Sequence, residues 1–195
     1  MPELGLNAIS LMMKFLGTVI EGCPFVNGYN KAVGMSTDGD LLGIKYEDEY
    51  GPLTFNNGVI STQRDRALGT IDIRYPLTTE DFGPYVEKMR QTLAEAGLSL
   101  DSVADTKPLF VDPESDLVQS LYSAYREITG DEVHKPFTIG GGTYAKAFEN
   151  IVAFGIEYPD GGPYDIHSAD EKANLEEMKM TLKILVKAIM NLLEL

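Results

Sequence analysis

Residues 134–167, HKPFTIGGGTYAKAFENIVAFGIEYPDGGPYDIH, constrain the fold more than any other stretch. A short apolar run leads into three glycines, Gly140, Gly141 and Gly142, which are followed by Thr143, Tyr144, Ala145 and Lys146. A second apolar run spans Ile151 to Ile156, and a turn rich in Gly, Pro and Asp then leads to His167. Apolar runs of this length, bounded by turn residues, read as strands near 137–139 and 151–156. The order therefore suggests a glycine backbone turn at one strand end and a histidine at the next, and in open α/β sheets those ends are where ligand sites gather.

Each piece also has a structural reading. Three glycines supply backbone that takes positive φ in a tight turn, and Lys146 does not fall where the phosphate-binding pattern GxxxxGK[ST] needs its lysine. A loop histidine is commonly solvated or structural, although imidazole is also a ready metal ligand and proton carrier.

The chain before this stretch has a different rhythm. Residues 3–20 read as a helix with Ile9, Met13, Leu16 and Ile20 on one apolar face, Pro2 in its first turn, and Gly22 and Pro24 ending it. Residues 41–46 read as a strand. Leu53-Thr54-Phe55 and Val59-Ile60-Ser61-Thr62 read as two more, joined by a turn at Asn56-Asn57-Gly58. Residues 67–75 alternate cleanly, with Ile71, Ile73 and Tyr75 on one face and Thr70, Asp72 and Arg74 on the other. A helix over 79–96 follows, capped by Thr78 or Thr79, with Phe82, Val86, Met89 and Leu93 inward and Gly97 as its stop.

Beyond residue 105 helices over about 112–129 and 173–194 alternate with the two strands of the glycine stretch. Asp112-Pro113 starts the first of these helices, Gly130 ends it, and Asp170-Glu171 caps the second. The expected architecture is an α+β domain over 1–105, an antiparallel sheet with helices on one face, followed by an α/β segment over 106–195.

Composition narrows the function. Hydrophobic residues make up 44% of the 195, enough for a packed core. Sixteen basic against thirty acidic residues leave a net charge of −14, which argues against nucleic acid or an anionic membrane as partner. The single cysteine, Cys23, excludes an internal disulfide framework and a thiolate zinc cluster, and it suits a reducing cytoplasm. The lysines at 179, 183 and 187 mark the last helix as amphipathic rather than membrane-spanning.

GGGTYAK, VAFGIEYP and the histidine of IHSADE together resemble the C-terminal end of the zinc-dependent dipeptidases of the aminoacylase/carboxypeptidase clan, and in particular the peptidase V-type group with its carnosinase-like relatives. The resemblance implies that Gly140, Gly141, Gly142 and Thr143 help line the substrate site. It also implies that His167, in an H-x-A-[ND]-E segment, binds one of two zinc ions. Lys146 departs from the family pattern, which has arginine there.

Asp72-Ile73-Arg74-Tyr75-Pro76 is similar to the N-[VI]-R-Y-P segment of the family's lid domain, whose arginine holds the substrate's C-terminal carboxylate, with Asp72 in place of Asn. Arginine suits that task because its planar fork captures a carboxylate bidentately. A surface pair with Asp72 is the structural alternative. Pro2 to Ala8 resembles the P-x-x-G-x-N-A helix that follows an AHGS-like segment, so Met1 is expected to lie just after the family's intermediate-stabilising histidine.

Resemblance also exposes what the chain lacks. The family's H-x-D segment, its further Asp and its Glu-Glu pair have no counterpart, and the histidines are His134, read as structural, and His167. The expectation is the C-terminal part of a cytoplasmic two-zinc dipeptidase, a partial lid over 1–105 and the end of the catalytic domain over 106–195, inactive without the N-terminal catalytic half. The alternative is a standalone non-catalytic binding domain that keeps the pocket without the metal. Its uncovered sheet edges and apolar faces would require a partner, and a homodimer through the lid is one route.

Overall fold

Asn7 starts the first long helix. Its side-chain oxygen accepts the Ser10 N–H at 3.0 Å, a helix cap. In the computed structural model, which describes residues 2–155 and 157–195, helix α1 (Ala8–Val19) is thus separated from a 3-10 turn at Pro2–Leu4. The single helix expected over 3–20 is broken because the cap lies at Asn7. Pro24 opens a helix rather than ending one: α2 (Pro24–Ala32) has the proline in its first turn, where the missing N–H costs nothing.

No strand forms at 41–46. A 3-10 turn at Asp40–Leu42 is bracketed by Gly39 and Gly43, both left-handed with φ of 74° and 70°. Leu42 and Ile44 are apolar there because the curled chain tucks them into the core, at 0% and 1% exposure. Two short strands follow, β1 (Glu47–Asp48) and β2 (Gly51–Pro52), paired antiparallel.

The main hairpin is β3 (Thr54–Thr62) and β4 (Ala67–Arg74). Asn56-Asn57-Gly58 is not its turn. The strand runs straight through, with a register shift between Asn57 and Val59, and the reversal lies after Thr62. The cause is spacing. Phe55 and Ile60 are five residues apart, which strict alternation puts on opposite faces. One extra residue restores both to the core side, the definition of a β-bulge. Phe55 pairs with Ile73 and Asn57 with Ile71 on that side, while Asn56 faces Asp72 and Thr54 faces Arg74 on the other. The alternation expected for 67–75 is present, with Asp72 and Arg74 exposed and Ile71 and Ile73 half-buried.

Helix α3 (Gly83–Glu95) starts later than expected, without a threonine cap, and Gly97 ends it at φ 76°. Met13, Val26, Tyr29, Phe55, Met89 and Leu93 bring α1, α2, α3 and the hairpin into one core, in which Phe82 and Val86 also take part. Gly28 lies where α2 meets the chain leaving α3: a Cβ there would stand 2.5 Å from the Ala96 carbonyl oxygen. Gly28→Ala is therefore expected to cost about 1–3 kcal/mol by overpacking, read as a lowered midpoint in thermal unfolding.

The chain divides into two compact units, Met1–Pro108 and Leu109–Leu195. The second is built on helices α4 (Asp116–Thr129) and α5 (Leu175–Leu192). Ser115 rather than Asp112 caps α4, and Gly130 closes it at φ 71°. Asn174 rather than Asp170 or Glu171 caps α5. Leu121, Ala124 and Ala188 form the core of the pair.

Neither strand expected in the glycine stretch is present among the described residues, so the second unit is helical with long irregular connections rather than α/β. Val152 and Phe154 do alternate inward against the helix pair, which accounts for the strand-like pattern, but a strand also needs a ladder partner. Phe137 and Ile139 are 79% and 58% exposed. Ile156, the last residue of the expected second strand, lies outside the described residues. As a whole the chain is α+β with five α-helices and small antiparallel sheets among the described residues. None of the helices described is long and apolar enough to cross a membrane.

Candidate functional site

Arg74 ends β4 on the open face of the hairpin. Its Nε donates to Asp72 Oδ1 at 3.2 Å, with both side chains more than half exposed. Water screens such a pair, and exposed ion pairs of this kind are worth about 0–1 kcal/mol. The backbone beyond is firmly held. Tyr75 stacks on Phe82 with ring centroids 4.4 Å apart and donates its hydroxyl to Asp105 at 2.8 Å. Burial, and then the Asp105 carboxylate, push the Tyr75 hydroxyl up to about 12. An exposed guanidinium on a firmly held strand end is an arrangement suited to anion capture.

The glycine loop belongs to the second unit. Gly140, Gly141 and Gly142 are exposed and do not take the positive φ expected of them. A Cβ on Gly142 would meet nothing within 4 Å, and one on Gly141 would be in ordinary contact with Ile139. Thr143 Oγ1 accepts the Ala145 N–H at 3.2 Å and opens a 3-10 turn, Tyr144–Ala147. Ala145 is buried by that turn, whereas Tyr144 and Lys146 project outward.

His167 lies in the turn before α5 and is exposed. Its φ is 61°, and Asp165 and Asp170 share the left-handed region at 52° and 61°. The turn is anchored from both sides. Tyr158 and Tyr164 reach α5, through Thr181 Oγ1 at 2.8 Å and Glu177 Oε2 at 2.8 Å, and Lys172 pairs with Asp165 at 2.8 Å. These tyrosines were not singled out from sequence, where each reads as one more half-buried aromatic. Among the described residues no group of three or more His, Cys, Asp or Glu side chains is placed to hold a metal ion. The donors of this chain thus do not by themselves fit a metal centre, and no chemical step is assigned to one.

His134 has a structural setting. Its Nδ1 lies 2.8 Å from Asp131 Oδ2, and its carbonyl accepts the Tyr122 hydroxyl at 2.9 Å. Asp131 is the hub: it also accepts the Tyr125 hydroxyl at 2.6 Å and the N–H groups of Val133 and His134. The Tyr125 bond first, then the His134 and Val133 N–H groups, hold the Asp131 carboxyl well below the usual carboxylate range. A depressed folded-state pKa contributes stability above the unfolded value that is lost as pH falls. The second unit is therefore expected to lose stability as pH drops below about 5 and through the carboxylate range. Asp131→Asn should flatten that slope in denaturant titrations at pH 7 and pH 3, and an unchanged slope would remove the hub role.

Residues 12–191 match the peptidase family M20/M25/M40. A Staphylococcus epidermidis protein named "Putative dipeptidase" is 33% identical over 193 residues, covering 96% of this chain and 40% of that protein. Proteins of the same description from Staphylococcus haemolyticus and Staphylococcus aureus are 32% and 31% identical over 196 residues, covering 98% of the chain and 41% of each relative. The chain thus spans about two fifths of the length of these curated relatives. With 180 of its 195 residues inside the match, the chain belongs to the peptidase family M20/M25/M40.

Proposed function

We propose that this chain supplies the substrate-carboxylate grip and the C-terminal part of the active site of a metal-dependent dipeptidase, residues 1–105 acting as part of a lid and 106–195 as the end of the catalytic domain. The observation that carries this reading is Arg74: an exposed guanidinium on the open face of a hairpin whose other face is locked into a core. Its role is to hold the free C-terminal carboxylate of a dipeptide.

The glycine loop supports the same reading. No described residue comes within 4 Å of a Cβ placed on Gly142, which leaves its backbone open to a ligand approaching from outside. Gly140, Gly141, Gly142 and Thr143 would then line the substrate, with backbone rather than side chains facing it. His167 is proposed as one donor to a zinc centre, one of two ions in the complete enzyme, whose remaining ligands and general base come from sequence outside this chain. Leu182, Val186, Ile189 and Met190 on α5 are 52–63% exposed, an apolar face that the rest of a catalytic domain would cover. The cytoplasmic assignment rests on the single cysteine.

Dipeptide hydrolysis by the complete protein and by the 195-residue chain tests the proposal directly. The complete protein should cleave dipeptides in the presence of zinc, and the chain alone should not. Turnover by the purified chain, or none by the complete protein with any divalent metal, would overturn the reading.

A further inference from the structure

The gap that Gly58 opens in the hairpin ladder is filled by a side chain. Asn57 is 3% exposed, and its Nδ2 donates to the Val59 carbonyl at 3.2 Å and to the Thr70 carbonyl at 2.6 Å, so it bridges the bulge and the facing strand. Its Oδ1 accepts the Tyr29 hydroxyl at 3.1 Å, and that hydroxyl lies 3.0 Å from the Ser10 hydroxyl. Its backbone carbonyl accepts Asn7 Nδ2 at 2.8 Å, and the same nitrogen reaches Asn56 Oδ1 at 2.7 Å. One buried carboxamide, with each polar atom engaged, ties β3 to β4 and α2 and, through the Tyr29 hydroxyl, to Ser10 of α1. A fully satisfied buried network of this kind specifies one arrangement, because any slip leaves its members unpaired.

The arrangement it specifies is the register on which Arg74 depends. Asn56 faces Asp72 and Thr54 faces Arg74, on the N-terminal side of the bulge. Phe55 on that side and Ile60 on the other both meet the core only while the extra residue is accommodated. If the bulge closes, one half of the hairpin shifts by a residue, and its inward and outward side chains exchange faces.

We propose that Asn57, held by Asn7 and Tyr29, is the positioning residue for Arg74: it fixes the bulge and thereby the register that sets Thr54 opposite Arg74, where the guanidinium meets a carboxylate-bearing substrate. This rests on the reading of Arg74 as the substrate-carboxylate grip. Two variants test it. Asn57→Ala removes the carboxamide. Asn7→Asp keeps the oxygen that caps α1 but loses both donated bonds to β3, so it loosens the hairpin without uncapping the helix.

In the 195-residue chain, cross-strand nuclear Overhauser contacts between Asn56 and Asp72 and between Thr54 and Arg74 should weaken or shift by one residue in both variants. In the complete protein, KM for dipeptides with a free carboxylate should rise about tenfold, with kcat changed less than about twofold and amidated analogues unaffected. Native cross-strand contacts in both variants overturn the proposal. Shifted contacts with an unchanged KM also overturn it, and Arg74→Ala then locates the fault. If that variant also leaves KM unchanged, the reading of Arg74 is at fault, and otherwise only the link from Asn57 is. Should Asn57→Ala fail to fold, Asn7→Asp carries the same measurements.

Discussion

Arg74→Ala in the complete protein is expected to raise KM for dipeptides with a free C-terminal carboxylate about tenfold to a hundredfold, each lost charge-assisted bond being worth about 1.5–3 kcal/mol. An amidated dipeptide offers the guanidinium no negative charge, so its KM should change little. The contrast between the two substrates is the informative quantity, since damage to folding would lower both alike. A grip equal in ground and transition states raises KM when it is lost and leaves kcat little changed, which is the expected pattern. Arg74→Lys should recover only part of the loss, since an ammonium lacks the planar fork. Equal losses for both substrates would assign Arg74 a structural part, and its bond with Asp72 would then be the first place to look.

The shared exposed face of Asp72 and Arg74 was legible because β4 alternates cleanly, and a period of two determines which residues share a face. β3 was not legible, and the reason is specific. Asn-Asn-Gly is the composition of a tight turn, but the same residues here make a bulge in mid-strand, with Asn57 turned inward to hydrogen-bond partners at positions 7, 29 and 70. Local composition carries no information about partners so far away in sequence. The turn at 40–42 was missed for a related reason: apolar residues adjoining left-handed glycines are buried without being extended. In the second unit the period-two pattern at Val152 and Phe154 reports packing against helices. Periodicity measures burial on one side, whatever lies on the other. Helices α3, α4 and α5 were placed within a few residues, and the starts of α4 and α5 shifted because the residue that caps a helix is chosen among several polar neighbours by local geometry.

His167→Gly in the complete protein is expected to lower occupancy of one metal site and reduce dipeptide turnover below detection. Glycine is the informative substitution, because His167 has φ 61°, where a Cβ-bearing residue pays about 1–2 kcal/mol and glycine does not. An alanine variant loses the imidazole but keeps that backbone cost, so a weak result would be ambiguous. Glycine removes the imidazole while relaxing the turn, and the anchors through Tyr158, Tyr164 and the Lys172–Asp165 pair remain. If the turn rather than the ring mattered, the glycine variant would keep its metal and its activity. If the ring is a ligand, both fall together, because the donors left behind cannot replace an imidazole at comparable affinity. His167→Asn serves as a second control, since asparagine also tolerates left-handed backbone but binds metal poorly. Metal content by mass spectrometry, measured beside turnover, decides the matter: full occupancy in the glycine variant removes His167 from the ligands, whatever happens to the rate.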